Sequence, residues 1–273
     1  MPVLSTPAGD LSYERRGSGP PIVFVQGVGV AGCGWAPQVA ALADRHTCIS
    51  FDNRGLGASA ARRDTALTVE GMAEDAIALV TGLGLGPAHW VGHSLGGVIA
   101  QRVALVRPDL VRSLALLCTF AGGRDLARPP WRLIWHGTWS RLGTRGLRRR
   151  AFARLVTPPA VIRARGIDAI IDELEAAFGR SLATSPAIAD AQLRALRRHD
   201  ERARLGELRA IPTLVVSGGQ DLIARPAAGR ALAEGIGTAV FEAWPDAAHA
   251  LPIHAAAALN ARLATHLAAA LAA

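Results

Sequence analysis

The chain has 273 residues and a formal net charge of +8, and each of its 30 basic residues is arginine. Without a lysine amine, Schiff-base aldolases, pyridoxal-phosphate enzymes, P-loop phosphotransferases and kinases are excluded. A composition 50% hydrophobic and 19% charged belongs to a packed globular protein.

From the N-terminus, residues 1–19 hold no positive run followed by an apolar stretch, and no window approaches the roughly 18–20 apolar residues of a membrane span. Neither secretion nor a membrane anchor is expected. Residues 22–26 read as a buried strand stopped by glycines and Thr47–Phe51 as a second, with a short helix over 35–43 between them. A helix is predicted over 69–83, with Met72, Ile77, Leu79, Val80 and Leu83 near one face. A short strand over 89–91 precedes a helix over 94–106, and Val111–Leu117 is another strand. Short β-branched runs alternating with helical patterns predict an α/β fold, a mostly parallel sheet with helices on both faces. Strand patterning then stops: residues 124–209 read as helical, interrupted at Pro129-Pro130, Pro158-Pro159 and Pro186. The expected organisation is a core of residues 1–123 and 210–273 carrying an all-helical insertion, 124–209. Strands return over 213–217 and 239–243, and an alanine-rich helix from about Ala255 closes the chain. The three cysteines, Cys33, Cys48 and Cys118, have no CxxC spacing, so neither a disulfide framework nor a zinc site is suggested and a reducing cytoplasm is expected.

The most specific motif is Gly92-His93-Ser94-Leu95-Gly96, a G-x-S-x-G pattern between a strand and a helix. Small residues there let the backbone turn sharply and lift a serine hydroxyl above the sheet, beside the free N–H groups of the helix start. A hydroxyl is a weak nucleophile at neutral pH and needs a base, itself held by an acid. In folds that carry such an elbow, both follow the serine, acid first, at the ends of later strands. Gly218-Gly219-Gln220-Asp221 follows one such strand, and Trp244-Pro245-Asp246-Ala247-Ala248-His249 follows the next. Ser94, Asp221 and His249 are therefore the candidate nucleophile, acid and base, with Asp246 and His254 as competing assignments. Backbone N–H groups of Leu95 and of Val28, in the glycine-rich turn Gln26-Gly27-Val28-Gly29, are the candidate oxyanion donors. Among the other histidines, His93 reads as an elbow-packing residue, and His46, His89, His136, His199 and His266 as satisfied or exposed.

Together these segments resemble the α/β-hydrolase superfamily, specifically its small serine esterase and lactonase-like members with a helical cap. The resemblance covers nearly the whole sheet region: residues 22–29, Trp35 with Pro37, the stretch Asp52-Asn53-Arg54-Gly55-Leu56-Gly57-Ala58-Ser59 matching the family's D-x-R-G-x-G-x-S turn, the elbow, Asp221 and His249. It implies a structural role for Asp52 and Arg54, and a serine nucleophile sets the chain apart from relatives that attack with aspartate. Two departures stand out: Gln26 replaces the histidine of the family's H-G pair, and Ala248 replaces the glycine before the histidine. The implied activity is hydrolysis of a carboxylic ester or lactone through an acyl-serine, with no metal or organic cofactor. Carbon–carbon bond hydrolysis of a dienone-type substrate, or a slow-turnover ligand-binding role, are the alternatives.

The charge is unevenly spread. Residues 124–209 hold 18 arginines and 9 acids, against 12 and 13 in the remainder. Within them Trp131, Trp135 and Trp139 recur at helical spacing. They either pack the insertion onto the core or, with Phe120, line an apolar pocket over Ser94 where arginines would attract an anionic, small-molecule substrate. A basic amphipathic helix on a membrane is a third reading, and nucleic acid is not an expected partner because no binding module accompanies the charge.

Overall fold

The computed structural model describes residues 1–6, 9–59, 67–126 and 129–272; Arg128 of the basic segment lies outside the described residues. Six of its strands fall where the apolar runs predict: β3 (Pro21–Val25), β4 (Thr47–Phe51), β5 (Ala88–His93), β6 (Val111–Leu117), β7 (Thr213–Gly218) and β8 (Val240–Trp244). Two more, β1 (Val3–Thr6) and β2 (Gly9–Arg16), add an antiparallel ribbon that the sequence does not announce. Its polar, half-exposed residues lack an apolar run, and pairing with β4 holds it in place. The sheet order is β1-β2-β4-β3-β5-β6-β7-β8, parallel from β4 through β8.

The sheet-packing helices are α1 (Ala36–Leu42), α2 (Val69–Gly82), α3 (Leu95–Val106), α9 (Pro226–Ile236), the short α10 (Leu251–His254) and α11 (Ala256–Ala272). The stripe of α9, Gly229, Leu232, Ala233 and Ile236, escapes the sequence reading although its spacing is helical. Right-handed crossovers dictate two layers. The connection from β3 to β4 steps one way along the sheet, whereas those from β4 to β5, β5 to β6 and β7 to β8 step the other way. Helix α1 therefore lies on the face opposite α2, α3 and α9, with α11 packed beside α1. Connections also diverge between the neighbouring strands β3 and β5, which opens a crevice at their carboxyl ends, the usual place for a ligand in such sheets.

Trp35, Trp90, Phe24 and Phe51 are fully buried in the core between these layers. The turn after β4 is likewise structural: Asp52 accepts from the N–H groups of Gly32 and Ala58, and buried Arg54 pairs with buried Asp75 of α2.

Between β6 and β7 the described chain is helical, with α4 (Trp131–Trp139), α5 (Arg145–Val156), α6 (Pro159–Arg165), α7 (Ile167–Phe178) and α8 (Ala189–Arg198). The segment leaves and returns through a bridge between Gly122 and Asp200, where added Cβ atoms on Gly122 or Gly123 would strike the facing backbone. The 3-10 stretch Arg202–Ala210, all but its last residue read in sequence with the insertion, places Leu205 and Leu208 in the main core. Helices α5 and α7 build a second apolar cluster around Ala153, Ile170 and Leu174, and Ala250, Leu222 and Ile223 of the loops after β7 and β8 join it. No helix among the described residues is long and apolar enough to cross a membrane.

Candidate active site

Strand β5 delivers Ser94 into a left-handed backbone conformation, φ 54° and ψ −119°. Such a conformation costs a non-glycine residue about 1–3 kcal/mol and persists where surrounding contacts fix it. Here Ser94 N–H donates to the Leu117 carbonyl at 2.9 Å, and Thr119 Oγ1 donates to the Ser94 carbonyl at 2.7 Å. The flanking glycines are sterically required: a Cβ on Gly92 would strike the Gly96 backbone, and one on Gly96 would enter the Val25 carbonyl. Ser94 occupies the N-cap of α3 without making a side-chain cap bond, so its hydroxyl is not spent on capping.

The loops after β7 and β8 bring Asp221 and His249 together. Asp221 Oδ2 lies 2.7 Å from His249 Nδ1, while Oδ1 accepts from the N–H groups of Ile223 and Ala224 at 2.7 and 3.0 Å. Two backbone amides thus fix the carboxylate that orients the imidazole, and Nδ1 carries the proton in that arrangement. Asp246, the competing acid, is exposed, and His254 has its ring nitrogens engaged by Glu173 and Thr157. Ser94, Asp221 and His249 are 6%, 3% and 8% exposed, sheltered but still reachable from solvent. Neither Ser94 Oγ nor His249 Nε2 has a hydrogen-bond partner among the described residues, which leaves both open toward an incoming group.

His93 packs its ring 4.7 Å from that of His249, and its Nε2 lies 2.8 Å from the His249 carbonyl. Burial, with His249 alongside, lowers the His93 pKa to about 3, so this neighbour stays neutral and donates to the loop. Cys118, the other described non-glycine residue with positive φ, ends β6 against the same loops. Burial, reinforced by Asp221, pushes its thiol well above the ordinary range and keeps it protonated. His93, Cys118 and His249 stand close enough together to suggest a metal-ligand set. In this arrangement His93 Nε2 is engaged by the His249 carbonyl and His249 Nδ1 by Asp221. In a second such group, Glu70, His199 and Glu201, His199 bonds Glu70 while Arg102 neutralises Glu201.

The glycine-rich turn after β3 lies directly over the serine, a Cβ on Gly27 falling 3.1 Å from Ser94 Cβ. Gln26 supports this turn: its Oε1 accepts from Gly27 N–H at 3.1 Å, and Asn53 donates to its carbonyl. The N–H groups of Val28 and Leu95 donate to no group among the described residues. Ala248 sits in ordinary backbone conformation, so the position before His249 does not need a glycine.

The tryptophans lie elsewhere. Trp131 and Trp135 are 73% and 56% exposed, with Trp139 edge-on to Trp135. Two hollows of about 300 and 360 Å³ run along α4, lined by these rings and by Ile134, Leu147 and Ala151, and neither is lined by Ser94, Asp221 or His249. Phe120 is buried in the main core. The contacts that sequence reasoning misses come from the helical segment: Gln192 and Arg180 both bind Gly29 of the turn.

Comparison with known proteins bears on the fold and the family. The family described as alpha/beta hydrolase fold matches residues 20–256. The proposed carbamate hydrolase RutD of Azorhizobium caulinodans is 30% identical over 256 residues, 92% of each chain. The proposed non-heme bromoperoxidase BpoC of Mycobacterium tuberculosis is 44% identical over 121 residues, so the chain aligns there with 45% of that protein's length. Its crystal structure superposes with a TM-score of 0.80 at 28% identity, covering 95% of this chain and 96% of that one. The enol-lactonase of Burkholderia xenovorans LB400 gives a TM-score of 0.80 at 26% identity, covering 98% and 100%.

Proposed function

The chain belongs to the α/β-hydrolase family, and from that premise we propose that it is a serine hydrolase cleaving a carboxylic ester or lactone through an acyl-serine intermediate. The observation that carries this reading is the strained Ser94 at the β5–α3 turn, on the same sheet edge as the Asp221–His249 pair at 2.7 Å. Ser94 Oγ attacks the carbonyl carbon while His249 Nε2 takes its proton, and Asp221 stabilises the resulting imidazolium. The N–H groups of Val28 and Leu95 receive the oxyanion. The imidazolium returns the proton to the departing alkoxide; the neutral imidazole then takes a proton from the water that attacks the acyl-serine and passes it to Ser94 Oγ as the acid leaves. Residues 124–198 act as a cap over this edge, tied down through the apolar cluster shared with Leu222, Ile223 and Ala250.

Support for the substrate class comes from the site's two unengaged donors beside an unengaged serine and from the likeness to an enol-lactonase. The substrate is a small molecule with an apolar body, for which a cap with an excess of arginines offers attraction to a carboxylate. A fluorophosphonate probe is expected to label wild-type protein at Ser94, and Ser94→Ala to lose at least about 10⁴-fold in turnover of a short aryl ester. Unchanged labelling of the variant sinks the assignment. A protein that spares ester and lactone panels but cleaves a dienone-type substrate would move the reading to carbon–carbon bond hydrolysis.

A further inference from the structure

Gly29 is held on both sides of its α-carbon by side chains from the helical segment. Its N–H donates to Gln192 Oε1 of α8 at 2.8 Å, and its carbonyl accepts from Arg180 Nε and Nη2 at 3.2 and 3.0 Å. Arg180 is itself fixed by Nη1, which donates to the Ser181 and Thr184 carbonyls, and burial draws its pKa down from the ordinary guanidinium value. Gln192 is fully buried, with its Nε2 unpartnered. Gly29 also adopts φ 68°, with Pro186 and Ala189 where a Cβ would reach, so four residues of the stretch 180–192 meet at this one residue.

The peptide group that carries Val28 N–H lies between two restrained peptide planes. Gln26 Oε1 holds the plane before it, from the sheet side, and Gln192 holds the plane after it. A backbone donor can stabilise an oxyanion strongly only if its direction is set before charge develops, because reorientation during the reaction costs what the hydrogen bond contributes. Arg180 and Gln192 bind the backbone of Gly29, and so hold the turn from which one donor points.

We propose that Arg180 and Gln192 are positioning residues for the oxyanion turn, and that docking of the 180–192 stretch sets the direction of Val28 N–H. The inference rests on the acyl-serine reading above. It makes the helical segment part of the catalytic geometry, because withdrawing that stretch releases both polar groups of Gly29 together.

The test compares wild type, Gln192→Met and Arg180→Lys, using a short aryl ester, an aryl trifluoromethyl ketone and hydrogen exchange. The ketone forms a tetrahedral adduct whose oxygen occupies the oxyanion position, so its affinity reads the turn rather than overall folding. Each variant is expected to lose about 10- to 100-fold in kcat, below the roughly 10²–10³ typical of deleting a donor outright. KM stays within about twofold, ketone affinity falls by the same factor as kcat/KM, and amide exchange accelerates across residues 27–30. The double variant loses less than the product of the two single effects, since both act on one turn. Ketone affinity unchanged in folded variants, or a loss confined to KM, overturns the inference. Arg180→Lys retains the charge and one donor, which keeps the question answerable if Gln192→Met does not fold. If wild type itself forms no adduct with the ketone or the fluorophosphonate, and Ser94→Ala still turns over the ester, the acyl-serine reading fails and takes this one with it. An adduct formed equally well by all three proteins removes only the positioning role.

Discussion

The carboxyl edge of the sheet and the α4–α5 face of the helical segment meet water in opposite ways. At the sheet edge, polar atoms are bound to specified partners: both oxygens of Asp221, the backbone of Ser94, and the Gln26 side chain against Gly27. The atoms left open there are those a reaction would use. Along α4, no residue is buried, Trp131, Ile134 and Trp135 face solvent, and the helix leans mainly on α5. Charge there is balanced locally, since eight of the nine acids in residues 124–209 pair with an arginine, and most of the excess cations are exposed, Arg180 against Gly29 excepted. One region spends its residues on fixing a few atoms; along the other, α4 buries none of its side chains. Function should therefore be concentrated where hydrogen bonds converge, and substitutions can test how sharp that division is.

The largest effect is expected at Asp221. In Asp221→Asn the carboxamide can keep the bonds from Ile223 and Ala224, but it presents no charge to the imidazolium. Turnover of the aryl ester should fall by about 10³–10⁴-fold with the melting temperature close to wild type, as activity measured beside a thermal melt will show. A loss below tenfold would make the sheet edge no more special than the α4 face.

Leu174→Ala probes the border between the regions. Leu174 is fully buried on α7 in the cluster that Ala250, Leu222 and Ile223 share, and truncation should cost about 2–5 kcal/mol of stability. Because Leu222 and Ile223 follow Asp221 directly, turnover should fall as well. Denaturant melts followed through both tryptophan fluorescence and activity should shift together. An unchanged kcat with a separate early transition would show that the helical segment folds apart from the site.

This border also marks where the sequence stops being legible. Ser94 and Asp221 could be read because each follows a strand end beside glycines whose missing Cβ the turn demands, and His249 because it follows the end of the next strand; both signals are local in sequence. The six apolar strands could be read for the same reason. Gln192 and Arg180 could not, since what makes them matter is Gly29, 163 and 151 residues away. Nor could β1 and β2, whose pairing partner is β4 rather than their own pattern. The tryptophan repeat was visible, but periodicity shows only that residues share a face; whether that face meets the core or water is set by how α4 docks.

A smaller, pH-dependent difference separates the core histidines from the rest. His89 is fully buried with Nδ1 on Ser113 Oγ, and burial, helped by nearby His46, lowers its pKa to about 4. In the unfolded chain it titrates near 6.5, so between those values the unfolded state binds the extra proton and stability declines as pH falls. That stability is fully present above about pH 6.5. His89→Gln, which can keep the Ser113 bond, should flatten the decline between pH 6.5 and 4 by up to about 3 kcal/mol. Urea melts at four or five pH values will read the slope, and a slope unchanged in the variant would assign the acid sensitivity to other groups.

The smallest effect is expected at Trp135, and it tests the comparison from its other side. More than half of this ring is exposed, its aromatic partner is Trp139, and the hollows it lines do not include Ser94, Asp221 or His249. Replacing it with serine removes apolar surface that folding has left largely in water, so stability should change by about 0.5 kcal/mol or less. For a short aryl ester, kcat/KM should stay within about threefold, because on the proposed reading the oxyanion turn is held by Gln26, Arg180 and Gln192 and not by α4. An ester with a long apolar acyl chain makes the measurement discriminating. If Trp135→Ser spares the short ester but raises KM tenfold for the long one, the α4 face reaches the acyl chain during turnover, and the exposed tryptophans belong to the substrate path.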